Sequence, residues 1–446
     1  MLRILAHPIF KRLFAAQVIA LLGTGLLTVA LGLLAFDIAG AQAGRVLGIA
    51  LTIKMLAYVM LSPVMTAVTA LMNRRHVLIV ADCVRAAAAL CLPFIDAIWQ
   101  IYVLIFLLQA ASATFTPTFQ AIIPDVLKDE SDYTRALSLS RLAYDIENLL
   151  SPVLAGLLLS FILPNWLFFG TCLGFLASAA LVWGTQIPNA TGKTTLSFRS
   201  RLTRGSHIYL ATPRLRGLLA LNATIAAVGA IVIVQSVVIA RGIYDGADRD
   251  LAVLLGAYGL GSMLVALTLP RLLESLPDRG VMQSGAALLS GLMLSAGLVI
   301  ASTGWPNWSW LLVLWGLLGA ANAAVLTPSG RLLRRSAQAQ DRPAIFAAQF
   351  ALSHACWLIA YPMAGVLGAS FGLATTMIIM GLLGSLAVIT ARVVWPANTS
   401  EEIEHTHSDL PPDHPHLRDA RPRGSVWVHR HSVIIDDEHH VWPTNG

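Results

Sequence analysis

Charged side chains are scarce in this sequence. Aspartate, glutamate, lysine and arginine make up 12% of its 446 residues, about half the share of a soluble domain, whereas 56% of the residues are hydrophobic. This composition excludes an ordinary soluble enzyme and a disordered regulator. The four cysteines all fall inside apolar runs, which excludes a disulfide scaffold and predicts buried free thiols. The remaining class is a membrane protein that crosses the bilayer many times.

Motifs of enzymatic chemistry are also missing. The sequence has no G-x-x-x-x-G-K-[ST] loop to cradle phosphates, so we expect no ATP hydrolysis by this chain. No constellation of nucleophile and base stands out either. We therefore expect a protein that is not an enzyme and that needs no cofactor.

Long apolar segments account for most of the chain. A helix that spans a hydrocarbon core of about 30 Å needs roughly 20 apolar residues. Twelve such segments can be marked, which predicts an all-α protein: 13–36, 46–70, 76–95, 99–121, 136–162, 165–187, 217–240, 251–273, 281–303, 307–327, 344–368 and 371–394.

The basic residues predict how these segments cross the membrane. With the N-terminus in the cytoplasm, 19 lysines and arginines fall in the inside segments and three in the outside loops. We therefore expect both termini to be cytoplasmic in a bacterial inner membrane. The net charge of +6 then reflects topology, and no nucleic-acid partner is expected.

The longest internal connection divides the twelve segments equally. We predict a first six-helix bundle at 1–187, a basic cytoplasmic linker at 188–216, a second bundle at 217–395 and a polar tail at 396–446. The linker is either a surface helix on the anionic inner leaflet or a passive connection. Two such halves are typical of secondary transporters.

The loop after the second segment reads SPVMTAVTALMNRRHVLIVADCVRAAA. It resembles the loop between helices two and three of the major facilitator superfamily, G-x-L-x-D-R-x-x-R-R followed by D-x-x-R, in four residues: Arg74, Arg75, Asp82 and Arg85. Thr66, Ala70 and Leu71 stand where the family has glycine, aspartate and its first arginine. The resemblance implies twelve helices in two bundles, and it makes the four matching residues a candidate gate latch.

Further strings point to a branch of that superfamily. SPVLAG in the fifth segment resembles a degraded G-P-x-x-x-G antiporter motif, and GTGLLTVALGLLAFDIAGAQAG, LTIKMLAYV and LTPSGRLLRRSA are similar to exporters of macrolides, siderophores and nickel. The similarity is greatest to nickel-resistance members, which often have a histidine-rich C-terminus. It implies a proton-coupled exporter that works as a monomer.

Few charges lie at bilayer depth, where an unpaired charge is costly. Arg141 and Asp145 are four residues apart and share a face of the fifth segment. Glu147 faces elsewhere and lies about 16 Å deep, and Lys54 lies about 12 Å from the outer edge of the second segment. The resemblance implies that helices two and five lie near one another, so we predict a pair between Lys54 and either Glu147 or Asp145. It is either a proton site or a static ion pair.

The resemblance also implies which spans line the central path. Their neutral polar and aromatic residues suit an amphipathic ligand. The predicted cavity residues are Gln17, Gln109, Phe115, Phe119, Asn222, Asn322, His354, Trp357 and Tyr361. His354 is the only histidine within a span, and it either titrates, binds metal or packs as a hydrogen-bonded side chain.

The tail contains eight of the twelve histidines, mostly as H-x-H pairs: His405, His407, His414, His416, His429, His431, His439 and His440. Alternate residues of an extended chain point the same way, so H-x-H can offer two imidazoles to nickel, zinc, copper or cobalt. The alternative is a solvated tail that binds ions adventitiously. The polar composition predicts a mostly disordered tail, although SVWVHRHSVIIDDEHHVWP alternates and could form a strand.

Three functions remain open from the sequence. The first is proton-coupled export of a divalent metal such as nickel, the second is efflux of drugs or other amphipathic organic molecules, and the third is a membrane sensor that does not transport. The expected partners are the lipid bilayer, protons and the transported molecule or ion.

Overall fold

The structure is a computed structural model. It describes residues 2–61, 72–127, 129–187, 198–273, 275–338, 341–395 and 397, and in the tail 402–407, 420–423, 426–432, 434–435 and 442. Twelve long helices and one linker helix follow in order: α1 Pro8–Ala39, α2 Ala43–Leu56, α3 Arg74–Cys91, α4 Ile98–Val126, α5 Glu130–Leu159, α6 Asn165–Trp183, α7 Phe198–Ala211, α8 Pro213–Val237, α9 Asp248–Leu272, α10 Asp278–Thr303, α11 Trp308–Arg335, α12 Arg342–Phe371 and α13 Leu373–Val394.

The prediction of an all-α membrane protein with twelve spans is confirmed. Ten helical segments of the described chain are long and apolar enough to cross a membrane, and the first of them, Pro8–Leu61, contains both α1 and α2. The twelfth helix is α5, which carries Arg141, Asp145 and Glu147. Residues 62–71, at the end of the second predicted span, lie outside the described part.

Two helices depart from regular α geometry near the ends of their spans. α2 continues as a π-helical turn at Ala57–Leu61, and α8 continues in the same way at Val238–Ile243. π turns are rare and often mark functional positions in helices.

Each half is closed by the same kind of contact between its first and last helix. In the first half the Thr171 hydroxyl of α6 donates to the carbonyl oxygen of Gly23 in α1 at 2.9 Å. In the second half the Thr224 hydroxyl of α8 donates to the carbonyl oxygen of Gly384 in α13 at 3.0 Å. Both bonds meet a glycine, because its missing side chain allows the two helices to approach closely.

The halves meet through α2 against α12 and α5 against α9. We call the end of the bundle where α1 begins and α7 lies the linker end, and the opposite end the far end. In the far-end part, glycines allow the helices of the two halves to approach closely. A Cβ on Gly48 would lie 2.8 Å from the carbonyl oxygen of Tyr361, and a Cβ on Gly156 would lie 3.0 Å from the Cβ of Ala252.

The outer surface of the bundle is apolar. Large hydrophobic side chains such as Trp99, Phe161, Leu173, Leu267 and Val393 are exposed over both halves. A soluble protein rarely exposes so many, whereas lipid chains cover them in a bilayer. The same surface corrects one prediction: Cys83 and Cys91 are exposed on α3 rather than buried, although all four thiols are free.

The polar regions are more ordered than predicted. The linker forms helix α7 over Phe198–Ala211, while its first residues, 188–197, lie outside the described part. The tail forms an antiparallel sheet of β1 Glu402–His407, β2 Arg421–Arg423 and β3 Val426–Ser432, in the order β1-β3-β2. The prediction of a mostly disordered tail is therefore wrong for β1 and β2, whereas β3 lies in the segment for which the alternating sequence also indicated a strand.

Two glycines on α10 test the packing of the second half. A Cβ on Gly297 would lie 2.8 Å from the backbone nitrogen of Ile378 in α13, whereas a Cβ on Gly291 would meet no atom within 4 Å. We expect Gly297→Ala to lower the midpoint of thermal unfolding in detergent, since overpacking costs about 1–3 kcal/mol. Gly291→Ala is the control and should leave the midpoint unchanged or raise it. Equal midpoints for the two variants would contradict this packing.

Candidate functional site: charges within the helical bundle

The structure places Lys54 and Glu147 within electrostatic range of each other, at more than salt-bridge distance. Lys54 lies in the last turn of α2, and its ammonium interacts electrostatically with the carboxylate of Glu147 on α5. Both side chains are only partly exposed. The attraction offsets part of the cost of holding two charges at this depth.

Helix α1 completes the surroundings of this pair. A Cβ on Gly25 would overlap the side chain of Ser151 and lie 3.6 Å from the Cγ of Glu147. The glycine therefore lets α1 lie directly against the face of α5 that carries the carboxylate. The pair thus joins the packing of α1, α2 and α5. The side chains of Arg141 and Asp145, the other predicted members of the site, lie outside the described part of the chain.

Asp82 and Arg85 form a second ion pair, within α3. The Ser178 hydroxyl of α6 donates to Asp82 at 2.8 Å, and the Arg85 guanidinium lies between the rings of Phe115 and Phe175, 4.3 and 4.5 Å from their centroids. Both members of the pair are buried. The pair therefore ties α3 to α4 and α6 inside the first half.

The basic residues at the start of α3 also contact their own half. Arg75 donates to the carbonyl oxygen of Trp183 at the end of α6, and its guanidinium lies 5.5 Å from the centroid of the Trp183 ring. Arg74 begins α3 beside it. These contacts hold α3 against α6, and a latch role for the four motif residues stays a prediction.

Most predicted cavity residues are buried between helices. Gln17, Gln109, Phe115, Phe119, Asn222, Asn322 and Tyr361 are each less than 9% exposed. The Asn222 amide donates to the carbonyl oxygen of Leu218 at 2.8 Å, and the Trp357 ring packs on Gly229. In this conformation these residues contribute to helix packing. Gln17 differs, because its carbonyl oxygen has no hydrogen-bond partner in the described part of the chain.

A charge cluster at the far end joins the two halves. Arg241, which follows α8, pairs with Asp248 at the start of α9 and with Asp37 of α1 at 3.4 Å, and it lies 5.1 Å from the centroid of the Phe36 ring. We call these four residues the far-end latch. Sequence reasoning counted Arg241 only as an outside basic residue, since Asp37 is 204 positions away.

Neutral groups support the closure at the far end. The Gln235 amide of α8 donates to the carbonyl oxygen of Ala364 in α12 at 2.6 Å, and its side chain lies directly against Gly44 of α2. The buried amide of Gln235 therefore contacts both α2 and α12, the two helices that form one of the interfaces between the halves. The far end is closed by glycine packing, an amide and an ion cluster together.

Charge pairs at the linker end lie within the second half and its linker. Asp278 at the start of α10 pairs with Arg331 and, at 3.6 Å, with Arg335 of α11. Arg204 of α7 pairs with Asp341 before α12 at 2.6 Å. These pairs attach the linker helix to α12 and fix the ends of α10 and α11.

The tail sheet aligns four histidines on one face. β1 and β3 pair so that His405 stands opposite His429, Ile403 opposite His431 and His407 opposite Trp427. Since directly paired and alternate residues share a face of a sheet, His405, His407, His429 and His431 share one. His414, His416, His439 and His440 lie outside the described part, as do the side chains of the four strand histidines. Among the side chains that are described, no cluster of three metal-ligating groups occurs.

The tail also contacts the second half. Ile435 is buried in the main hydrophobic core of the bundle, and the Trp442 ring lies 5.6 Å from the guanidinium of Arg214 at the start of α8. The described end of the tail is therefore held at the linker end, beside the linker helix.

The fold and the buried charges together define a membrane transporter of two helical bundles. The sequence profile of the Major Facilitator Superfamily matches residues 13–305, and the chain belongs to this family. No curated protein matches the sequence significantly.

Solved transporters share the fold at low identity. A bacterial homolog of the human lysosomal transporter Spinster, in an inward-facing and unoccupied conformation, is 12% identical with a TM-score of 0.66, covering 87% of this chain and 97% of that one. The nucleoside transporter NupG is 12% identical with a TM-score of 0.65, covering 87% and 100%. A D-xylose-proton symporter is 12% identical with a TM-score of 0.65, covering 88% and 99%. These likenesses show the fold.

The far-end latch can be tested by its effect on the distance between the halves. We expect Arg241→Ala to increase the population with a separated far end about threefold, because a partly exposed ion pair contributes roughly 0.2–1 kcal/mol. Spin labels at the exposed positions Ala41 and Ala247, with the native cysteines replaced, report that distance by double electron-electron resonance.

Arg249→Ala is the matched control, since it removes the charge of an exposed arginine on the same helix as Asp248. An unchanged distance distribution in Arg241→Ala, or an equal change in the control, would contradict the latch.

Proposed function

We propose that the protein is a proton-coupled exporter of a divalent transition metal such as nickel, and that it works by alternating access of its two halves. The observation that supports proton coupling is the Lys54 and Glu147 pair. Protonation of the carboxylate removes its attraction for the ammonium, and a change of interaction between two states shifts their populations.

The packing of the halves supports alternating access. Both interfaces, α2 with α12 and α5 with α9, include a helix that carries either Lys54 or Glu147. A change at the pair therefore acts directly on the helices that must move. In the predicted topology the far end faces outside, so the far-end contacts close the outer side of the bundle. Both termini then lie in the cytoplasm of a bacterium, and the transporter acts as a monomer in the inner membrane.

The tail supports a metal substrate. Four histidine positions on one face of a sheet provide the ligand type that nickel, zinc, copper and cobalt prefer. A tail held at the linker end offers these ligands beside the cytoplasmic side of the bundle, where ions are collected before export.

The bundle interior favours a second candidate, efflux of amphipathic organic molecules. The helices that line the path in this fold carry neutral polar and aromatic residues, such as Gln109, Asn322 and Trp357. Such groups bind organic molecules better than metal ions. A sensor that does not transport is the third candidate, and it depends on the tail alone.

Transport in proteoliposomes tests proton coupling. With an imposed pH gradient, we expect Glu147→Gln and Lys54→Met to reduce gradient-driven Ni²⁺ movement at least tenfold. The first variant has no carboxylate to protonate, and the second has no ammonium for that carboxylate to attract. A chelating dye inside the vesicles measures Ni²⁺, and the fluorescence of an organic cation such as ethidium tests the second candidate.

Asp96→Asn is the control, since Asp96 is exposed in a far-end loop. Full gradient-driven transport by both variants would refute proton coupling at this pair. Transport of the organic cation without Ni²⁺ would favour the second candidate, and transport of neither would favour the sensor.

Metal binding by the tail can be measured on the whole protein. We expect the combined His405→Ala and His429→Ala variant to weaken Ni²⁺ binding at least tenfold in isothermal titration calorimetry, because these residues are directly paired across β1 and β3. The control is His207→Ala, which removes an exposed histidine of α7. Millimolar binding by the unchanged protein, or equal binding by the double variant, would refute the tail site.

A further inference from the structure

Tyr58 lies on the same side of its helix as Lys54. The two residues are four positions apart, so they are neighbours on the surface of α2. Tyr58 belongs to the π-helical turn Ala57–Leu61 that follows the last regular turn. The ring of Tyr58 therefore lies one helical turn after the ammonium group of Lys54.

That ring contacts the other half. The centroid of the Tyr58 ring lies 6.0 Å from that of Phe350 and 5.8 Å from that of His354, both on α12. The rings of Phe350 and His354 lie 3.9 Å apart. These three rings form what we call the aromatic contact. Nearer the far end, the same two helices touch at Gly48 and Gly365.

The hydrogen bond of His354 assigns its tautomer. Its Nδ1 lies 2.7 Å from the carbonyl oxygen of Phe350, and a carbonyl oxygen only accepts, so Nδ1 carries a proton and donates it. The nitrogen that takes up a second proton is therefore Nε2. A second proton on Nε2 gives His354 a positive charge, and histidine is the side chain whose ordinary titration range includes neutral pH.

Other titratable groups around α12 are few among the described residues. Tyr58 contacts it from the turn that follows α2, and Lys54 lies one turn earlier along that helix. Tyr209 of α7 donates to Gln349 one turn before His354. Burial raises the pKa of Tyr209, so this hydroxyl stays neutral. On α12 itself, Cys356 and Tyr361 follow His354. Lys54 is the positive charge that α2 carries one turn before Tyr58.

We propose that His354 is a positioning residue that makes the separation of α2 and α12 depend on two protonations. Neutral His354 keeps the aromatic contact. Protonated His354 faces the ammonium of Lys54 across it, and the repulsion is strongest when Glu147 is also protonated and no longer neutralises Lys54. The far-end glycines act as the pivot, so the separation increases toward the linker end. This inference rests on the proposed role of the Lys54 and Glu147 pair.

A distance measurement without substrate tests the proposal. Spin labels at the exposed positions Met72 and Arg334, with the native cysteines replaced, report the separation of the halves at the linker end. In nanodiscs, we expect the population at the longer distance to rise at least threefold from pH 8 to pH 5.5. His354→Gln, which keeps a hydrogen-bond donor but takes up no proton, should remove most of this pH response.

Two further variants separate a titrating role from a packing role. Tyr58→Phe keeps the ring and should keep the pH response. Glu147→Gln should move the midpoint of the pH response to higher pH, because glutamine is neutral as protonated Glu147 is, so that only His354 still has to take up a proton. His76→Gln, at an exposed histidine of α3, is the control for loss of an imidazole.

The outcomes distinguish this inference from the proposed function. An undiminished pH response in His354→Gln would overturn the role of His354, even if Glu147→Gln abolishes proton-driven transport. Loss of the response in His354→Gln and Tyr58→Phe alike would show that packing, and not titration, controls the separation, and would also overturn it. Loss in His354→Gln alone supports the proposal.

Discussion

The cost of a charge at bilayer depth is the constraint on which the arrangement of this protein depends. Twelve helices are almost free of ionisable groups, so each of the few charges needs a partner or a proton. Lys54 and Glu147 meet this requirement across two helices, and Asp82 and Arg85 meet it within one. The first arrangement can change when two helices move apart, whereas the second cannot. This difference separates a candidate coupling site from a structural ion pair.

The cost of a charge at bilayer depth also explains which interactions join the two halves at each depth. At the far end, where water reaches the helix ends, Arg241 pairs with Asp248 of its own half and with Asp37 across the interface. Deeper in the bundle, glycine packing, the Gln235 amide and the aromatic contact replace charges. Partly exposed ion pairs, which contribute little stability, thus lie at the far end. Lys54 and Glu147 lie on the helices that form the interfaces between the halves.

Much of this could be predicted from sequence because it is local. Apolar runs mark the spans, and residues three or four apart share a helix face, so Asp82 with Arg85 was predictable. Depth counting placed Lys54 and Glu147 at similar levels. The far-end latch and the burial of Asn222 and Tyr361 depend on helix rotation, which weak amphipathic patterns do not specify. The tail sheet depends on pairing between strands that are about 20 residues apart.

The central claim is that Glu147 changes its protonation state within the bundle. Infrared difference spectroscopy of the protein in lipid, between pH 8 and pH 5.5, measures the carboxylic acid band directly. We expect a band of a protonated carboxyl group in an apolar environment to gain intensity at low pH, and we expect this band to be absent in Glu147→Gln. An identical difference spectrum in Glu147→Gln would contradict it.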